Sequence, residues 1–301
     1  MEVNDLLQRY EQGERDFAGV DLSGADLRGA ILIGVNLSKA NLIGANFSRA
    51  FLLKSDFSQA SLNWANFSFA KLGEARFTEA DLTKAIFNGA FLVKTKLPRA
   101  KISGANLSYA NMRSCNLWSA NLCGANMQSV NLRGANLSGA NLNWVNLSGG
   151  KLSGAMLLGA YLTGINLSQA YMNGVDLGGV DLNGVNLSEA RLSGANLEGA
   201  NMVAANLAEA QMRGARLTGA DLAGANLNKA FLMRANMNWS RLTQADLTDA
   251  DLSEATLIGA NIDGAILQGA ILPESTKRYF YLTATSPNFP DNIEMRLGLS
   301  G

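Results

Sequence analysis

Histidine is absent from the 301 residues, cysteine occurs only at Cys115 and Cys123, and proline only four times. Aromatic residues make up 7% of the chain although 48% of it is hydrophobic. Without imidazole there is no Ser-His or Cys-His nucleophile pair and no His-ligated metal. Two cysteines build neither a disulfide framework nor a four-thiolate zinc site. No apolar run approaches the ~20 residues that a membrane-spanning helix needs, and the opening Met1–Phe17 is polar and mixed in charge, with no apolar signal core. These absences lead to the expectation of a cytoplasmic protein that is not an enzyme and carries no cofactor or metal. Charge gives no direction either. Lys plus Arg is 25 and Asp plus Glu is 25, so bulk attraction to nucleic acid is not expected.

What is present is a period of five. Every residue whose number ends in 2 or 7, from Phe17 to Leu272, is Leu, Phe, Met or Ile, which makes 52 positions in unbroken register. Two residues before each of these centres the side chain is small, and 38 of the 51 positions from Val20 to Ala270 are Ala. The residue just before the centre is Asn or Asp in 31 of 52 pentads. A helix advances ~100° per residue, so a period of five would spread the leucines over every face. A straight strand would put successive centres on opposite sides. Within one pentad, however, the small residue and the centre are two apart and can both point inward. The chain must then turn, and the frequent Gly two places after the centre suits that corner. Only a solenoid satisfies all the centres.

The number of sides follows from the run Phe47, Leu52, Phe57, Leu62, Phe67, Leu72, Phe77, Leu82, Phe87. Its alternation has a lag of ten, which puts Phe on two opposite walls of a four-sided coil. Three sides would mix Phe with Leu in every column. At four pentads per coil, the 52 pentads give about 13 coils. The motif Ala-[Asp/Asn]-Leu-x-x, as in Ala25-Asp26-Leu27, Ala105-Asn106-Leu107 and Ala135-Asn136-Leu137, resembles the pentapeptide-repeat family. That resemblance implies an all-β, right-handed quadrilateral β-helix. The lead-in from Leu6 to Phe17 is similar to the openings of cyanobacterial members.

The ends read differently. Residues 1–14 are expected to form an N-terminal cap, with a short helix over about 5–12, Asn4 as its N-cap and Gly13 closing it. Residues 15–274 form the repeat. Residues 275–301, with Tyr279, Phe280, Tyr281 and Phe289, leave the period and read as a C-terminal cap, a dimer contact or a partner-binding tail.

Most candidate chemistry dissolves into the repeat. The Asn/Asp column recurs turn after turn, so its carboxylates lie on different walls, and stacked amide ladders explain it better than acid–base work. Cys115 occupies an inward small slot and Cys123 faces out on another wall, so no disulfide joins them. The informative departure appears when the pre-centre residues are sorted by 20. Three walls keep Asn or Asp at most levels, whereas the fourth keeps it in three of 13 pentads and carries Phe51, Lys71, Phe91, Lys151, Tyr171, Arg191 and Phe231. Ile33, Leu53, Val93 and Met233 lie two positions on from this column. Exposed apolar clusters on a polar repeat mark interaction surfaces, so this wall is the candidate binding site for a protein partner.

A second candidate is anionic. From Lys39 to Lys101 ten bases face four acids, net +6, with Lys94, Lys96, Arg99 and Lys101 closest together. Arg49, Phe69 and Tyr109 share one corner column and Trp64, Lys84 and Trp144 another, a mixture that stacks on nucleobases where it converges. The family resemblance implies a scaffold or regulator acting by binding. It also implies an alternative, a DNA mimic that binds DNA gyrase, which needs an acidic surface that this neutral chain lacks.

Overall fold

The computed structural model describes residues 1–274. The chain divides into two compact units, Met1–Asn166 and Leu167–Gly301, the second described as far as Glu274. The expected tail at 275–301 lies outside the described residues. In the first unit the pentads build coils of 20 residues. Parallel bridges join Asp16 to Asn36, Asp21 to Asn41, Asp26 to Asn46 and Ile31 to Phe51, one for each of the four pentads of a coil. The second unit keeps this register, as in Tyr171 with Arg191 and Asp176 with Asn196.

One pentad shows why five residues suffice. In 36–40, Asn36 N–H donates back to Arg15 O at 2.7 Å, Leu37 N–H forward to Asp56 O at 2.7 Å, and Lys39 N–H forward to Ser58 O at 2.9 Å. Ala40 N–H closes the turn on Leu37 O at 3.2 Å. The fifth donor, Ser38 N–H, is accepted by the Asn36 side chain at 3.0 Å. The same bond recurs at Ser108 to Asn106, Ser138 to Asn136 and Thr248 to Asp246. The Asn/Asp column is therefore a turn device first. Amide-to-amide ladders also form, for example Asn146 to Asn126 at 3.4 Å, but they are longer and fewer. Among the described residues no buried side-chain polar atom lacks a partner.

The centres and small residues are buried along both units. Phe47, Phe67 and Phe87 stack face to face with centroids 5.0 and 4.9 Å apart, and Phe57 stacks on Phe77 at 4.8 Å. The two columns meet edge to face at 5.8 to 6.1 Å. Both are preferred aromatic arrangements, and the lag of ten in the sequence is their cause.

The N-terminal helix α1, Val3–Glu11, starts earlier than expected. Glu2 holds the N-cap position without a side-chain cap bond, and Asn4 lies inside the helix. The Met1 amino group, ahead of the helix, donates to Asp21 O at 3.0 Å. Leu6 is buried, Tyr10 Oη donates to Ile33 O at 3.0 Å, and Arg9 lies 5.4 Å from the Phe17 ring centroid. The helix thus packs on the first coil. Gly13 follows it at φ +100°.

The corners have positive φ throughout, and many are not Gly. Trp144 at φ +60° lies over Gly164, where a Cβ would run into the indole ring. Trp239 covers Gly259 and Phe69 covers Gly89 in the same way. Gly164→Ala should therefore destabilise by about 1 kcal/mol for its positive φ and by a further ~1–3 kcal/mol for overpacking against Trp144. Gly124→Ala, at φ +66° with nothing within 4 Å, should show the first part alone in urea titrations. Equal losses at both sites would refute the ring-cover account. Phe67→Ala, which breaks both stacks and both edge contacts, should cost ~3–5 kcal/mol, read as a drop in the urea midpoint at constant slope.

Candidate protein-interaction surface

The Phe51 wall of the first unit is built from consecutive bridges Ile31 to Phe51, Phe51 to Lys71, Lys71 to Phe91, Phe91 to Asn111, Asn111 to Asn131 and Asn131 to Lys151. Because the small residue and the centre point inward, these residues point out. Ile31 is 61% exposed, Phe51 43% and Phe91 45%. Ile33 and Leu53, one position after their centres, are exposed beside them. Lys71 Nζ lies 3.4 Å from the Phe91 centroid, a cation–π contact that fixes both side chains on the surface. Among the described residues no side chain accepts the N–H of Ile33, Leu53, Gly73 or Val93. Asn111 and Asn131 on the same wall retain the turn bond, at 3.4 and 3.3 Å.

In the second unit the corresponding wall runs from Tyr171 through Arg191, Gln211 and Phe231 to Asp251 and Ile271. Phe231 is half exposed, and Arg191 lies 4.4 Å from the Tyr171 ring centroid. The seven residues singled out from sequence thus fall on two stretches, four in one unit and three in the other. Following the pre-centre column alone passes over Arg113 and Arg133, which stand one position after their centres on this wall and are exposed. Sorting the post-centre position by 20 finds them.

The basic quartet does not converge. Lys96 bridges Arg76 and Asn116, whereas Lys101 bridges Asp81 and Asn121 on the next wall. Lys94 turns the corner that ends the Phe51 wall. Arg99 is engaged by Glu79 at 2.5 Å and lies near the Trp118 ring. Gln59 and Arg99 together hold the Glu79 carboxyl below its ordinary pKa. These four side chains belong to three walls and form no single anion site. Trp64 and Lys84 do meet across one coil, with Lys84 Nζ 5.9 Å from the indole, and Trp144 stands four coils further on.

The two thiols are separate and free, Cys115 buried and Cys123 half-buried. Cys115 Sγ donates to Leu92 O at 2.8 Å, as Ser55 Oγ does to Leu32 O and Thr95 Oγ1 to Leu72 O, both at 2.9 Å. The three share one inward column. Among the described residues no His/Cys/Asp/Glu group could hold a metal ion, and no helix is long and apolar enough to cross a membrane.

Eight copies of the model for pentapeptide repeats match between residues 21 and 272. The chain belongs to the pentapeptide-repeat family. Among solved pentapeptide-repeat structures it is similar to HetL of the cyanobacterium Nostoc sp., described as involved in heterocyst differentiation regulation. The identity is 32% over 91% of this chain and 98% of that one, with a TM-score of 0.24. Rfr23 of the cyanobacterium Cyanothece is 24% identical over 56% of this chain and 99% of its own, TM-score 0.15. QnrB1, a plasmid-mediated fluoroquinolone resistance protein, is 16% identical over 80% and 97%, TM-score 0.33. No curated protein matches.

Burial pushes the Cys115 thiol from 9.0 up to about 12. The folded state therefore holds its proton where the unfolded thiol loses it, and stability should fall as pH rises between those values. Cys115→Ser, which places a hydroxyl where Ser55 and Thr95 already have one, should remove that slope with less than ~1.5 kcal/mol of change at neutral pH. A thiol reagent should modify one equivalent, Cys123, in the native protein and two in urea. Rapid modification of both in the native state would contradict the packing.

Proposed function

We propose that this pentapeptide-repeat chain folds as a right-handed quadrilateral β-helix. It acts in the cytoplasm as a scaffold or regulator, by protein–protein interaction along the Phe51 wall rather than by catalysis. The observation that carries this reading is the loss of the turn-bonding residue. Three walls spend the pre-centre position on Asn or Asp, which accepts the fifth N–H. Ten of the 13 pentads on the Phe51 wall give that bond up and instead expose Ile31, Phe51, Phe91 and Phe231 to solvent. Replacing an N–H acceptor by a half-exposed ring removes about 0.5–1.5 kcal/mol of hydrogen bonding and leaves about half of the ring in water. A partner that covers the rings makes the exchange favourable, since aromatic and Arg side chains are the usual anchors of protein interfaces.

HetL, described as acting in the regulation of heterocyst differentiation, fits a binding role of this kind. The fluoroquinolone-resistance relative raises the gyrase-binding alternative. A DNA mimic must present acidic groups in phosphate-like rows, and the first unit has none from Leu82 to Asn166.

The test is affinity capture from the native lysate with wild type and the Phe51→Ser, Phe91→Ser, Phe231→Ser triple variant. The variant should lose a specific protein captured by the wild type while its far-UV CD and thermal midpoint stay nearly unchanged. Retention of the same protein by the variant would refute the wall as the docking site. Protection of gyrase from a quinolone at stoichiometric protein would instead establish the alternative.

A further inference from the structure

The Phe51 wall of the first unit carries one base on each of six successive coils: Lys54, Lys71, Lys94, Arg113, Arg133 and Lys151. They stand at the pre-centre, post-centre or corner position of the same wall. At ~4.8 Å per coil the line is roughly 24 Å long. One acid, Glu74, shares the wall. Sequence composition isolates the stripe further. Asp and Glu are absent from Leu82 through Asn166, while eight Lys and Arg fall there.

Several bases outside the stripe are paired, although Lys84, Lys96, Lys101 and Arg213 form no ion pair among the described residues. On the adjacent wall Arg76 faces Asp56 at 3.9 Å and Arg99 faces Glu79. In the second unit Arg216, Arg234 and Arg241 all face carboxylates. None of the six bases of the stripe forms an ion pair among the described residues, and Lys71 rests on the Phe91 ring instead. A line of like charges without counter-charges raises the local potential and destabilises the free protein through self-repulsion. The same line is favourable against an anionic surface.

The apolar groups show which anion. Ile31, Ile33, Phe51, Leu53 and Phe91 are exposed on the first coils of the wall, and Arg113, Arg133 and Lys151 lie on the later ones among Asn111, Asn131 and Ser153. Exposed aliphatic side chains contribute nothing against a phosphate backbone. The later, basic half of the wall has no ring on which a nucleobase could stack. A lipid surface would draw apolar groups inward with bases around them along the whole patch. Here apolar groups accompany Lys54, Lys71 and Lys94 on the first coils only, and Arg113, Arg133 and Lys151 continue without them.

Resting on the reading of this wall as the docking surface, we infer that its partner is an acidic protein segment with apolar anchors at one end. The anchors sit on the Ile31–Phe91 part and the carboxylates run along Arg113, Arg133 and Lys151. Charge complementarity of this kind sets association rate and partner choice.

Fluorescence anisotropy on the full chain tests this. The probe is a fluorescein-labelled peptide of about 20 residues, Glu- and Asp-rich with Leu and Phe at one end, long enough to follow the stripe. Controls are its Lys-substituted counterpart, a single-stranded DNA oligonucleotide, and phosphatidylserine–phosphatidylcholine vesicles. The acidic peptide should bind, and the Lys counterpart should not. Arg113→Glu, Arg133→Glu, Lys151→Glu should weaken binding at least about tenfold and flatten its salt dependence. Phe51→Ser, Phe91→Ser should weaken it comparably without changing the salt slope. If the charge reversal disturbs the CD spectrum, the Gln versions of the same three sites serve in its place.

No binding of the acidic peptide, equal binding of the Lys counterpart, indifference to the charge variants, or tighter stripe-dependent binding of DNA or vesicles would each overturn the inference. Lysate capture separates this from failure of the wall itself. A protein lost by the triple Ser variant yet retained by the charge-reversed one would keep the docking wall and discard the acidic partner.

Discussion

The disposal of five backbone N–H groups in each pentad is the constraint from which the rest of the structure descends. Three donate to the neighbouring coils, one closes the turn, and one is taken by the Asn or Asp side chain just before the centre, as Asn36 takes Ser38. A buried, unpaired N–H costs as much as a lost hydrogen bond, so a sixth residue in the repeat unit would leave a donor to place. The 20-residue bridge register is the consequence, because four such turns bring the chain back over itself. Burial of the centre and the small residue comes with the same geometry, since these two positions point inward in every pentad.

That local closure also explains the corners. Positive φ is required there to reverse the chain, and Gly satisfies it without cost. Yet Trp64, Phe69, Tyr109, Trp144 and Trp239 hold the same conformation. Bulky residues in this region cost about 1–3 kcal/mol. Three of the five recover part of it by lying over a Gly one coil on, as Trp144 does over Gly164. The pairing of a large corner with a Gly 20 residues later is thus a packing device, which weakens the case for these rings as nucleobase platforms.

Much of this was legible in the chain and some was not, for identifiable reasons. The four-pentad coil could be read from the lag of ten in Phe47 to Phe87, because stacked rings need one column each. The family was legible in the unbroken register of the centres and the recurrent Ala-[Asp/Asn]-Leu motif. The turn role of Asn and Asp was not, since an amide ladder and an i to i+2 bond call for the same residue at the same place. The start of α1 was misplaced because Asn4 is a good N-cap by propensity, whereas the helix begins at Val3 with Glu2 at the cap position and no side-chain cap bond. The candidate wall could be found from its pre-centre column, but Arg113 and Arg133 required knowing that the post-centre side chain also faces out. The scatter of Lys94, Lys96, Arg99 and Lys101 over three walls follows from the same geometry, because five residues advance the chain by one wall.

Because the backbone ladders and the inward column carry the fold, most substitutions at outward positions carry little penalty. A wall that keeps Asn and Asp records only the turn. A wall that discards most of them, exposes rings and gathers bases departs in three respects, none of which improves the coil. The second unit supplies the contrast. The corresponding stretch there holds Asp251 and Glu254, the latter paired with Arg234 at the following corner, while Arg191 and Arg213 form no ion pair among the described residues. The stripe from Lys54 to Lys151 has Glu74 as its one acid and no ion pair among the described residues. On the proposed reading, these cations and the uncovered apolar side chains of the first unit are what a partner would cover.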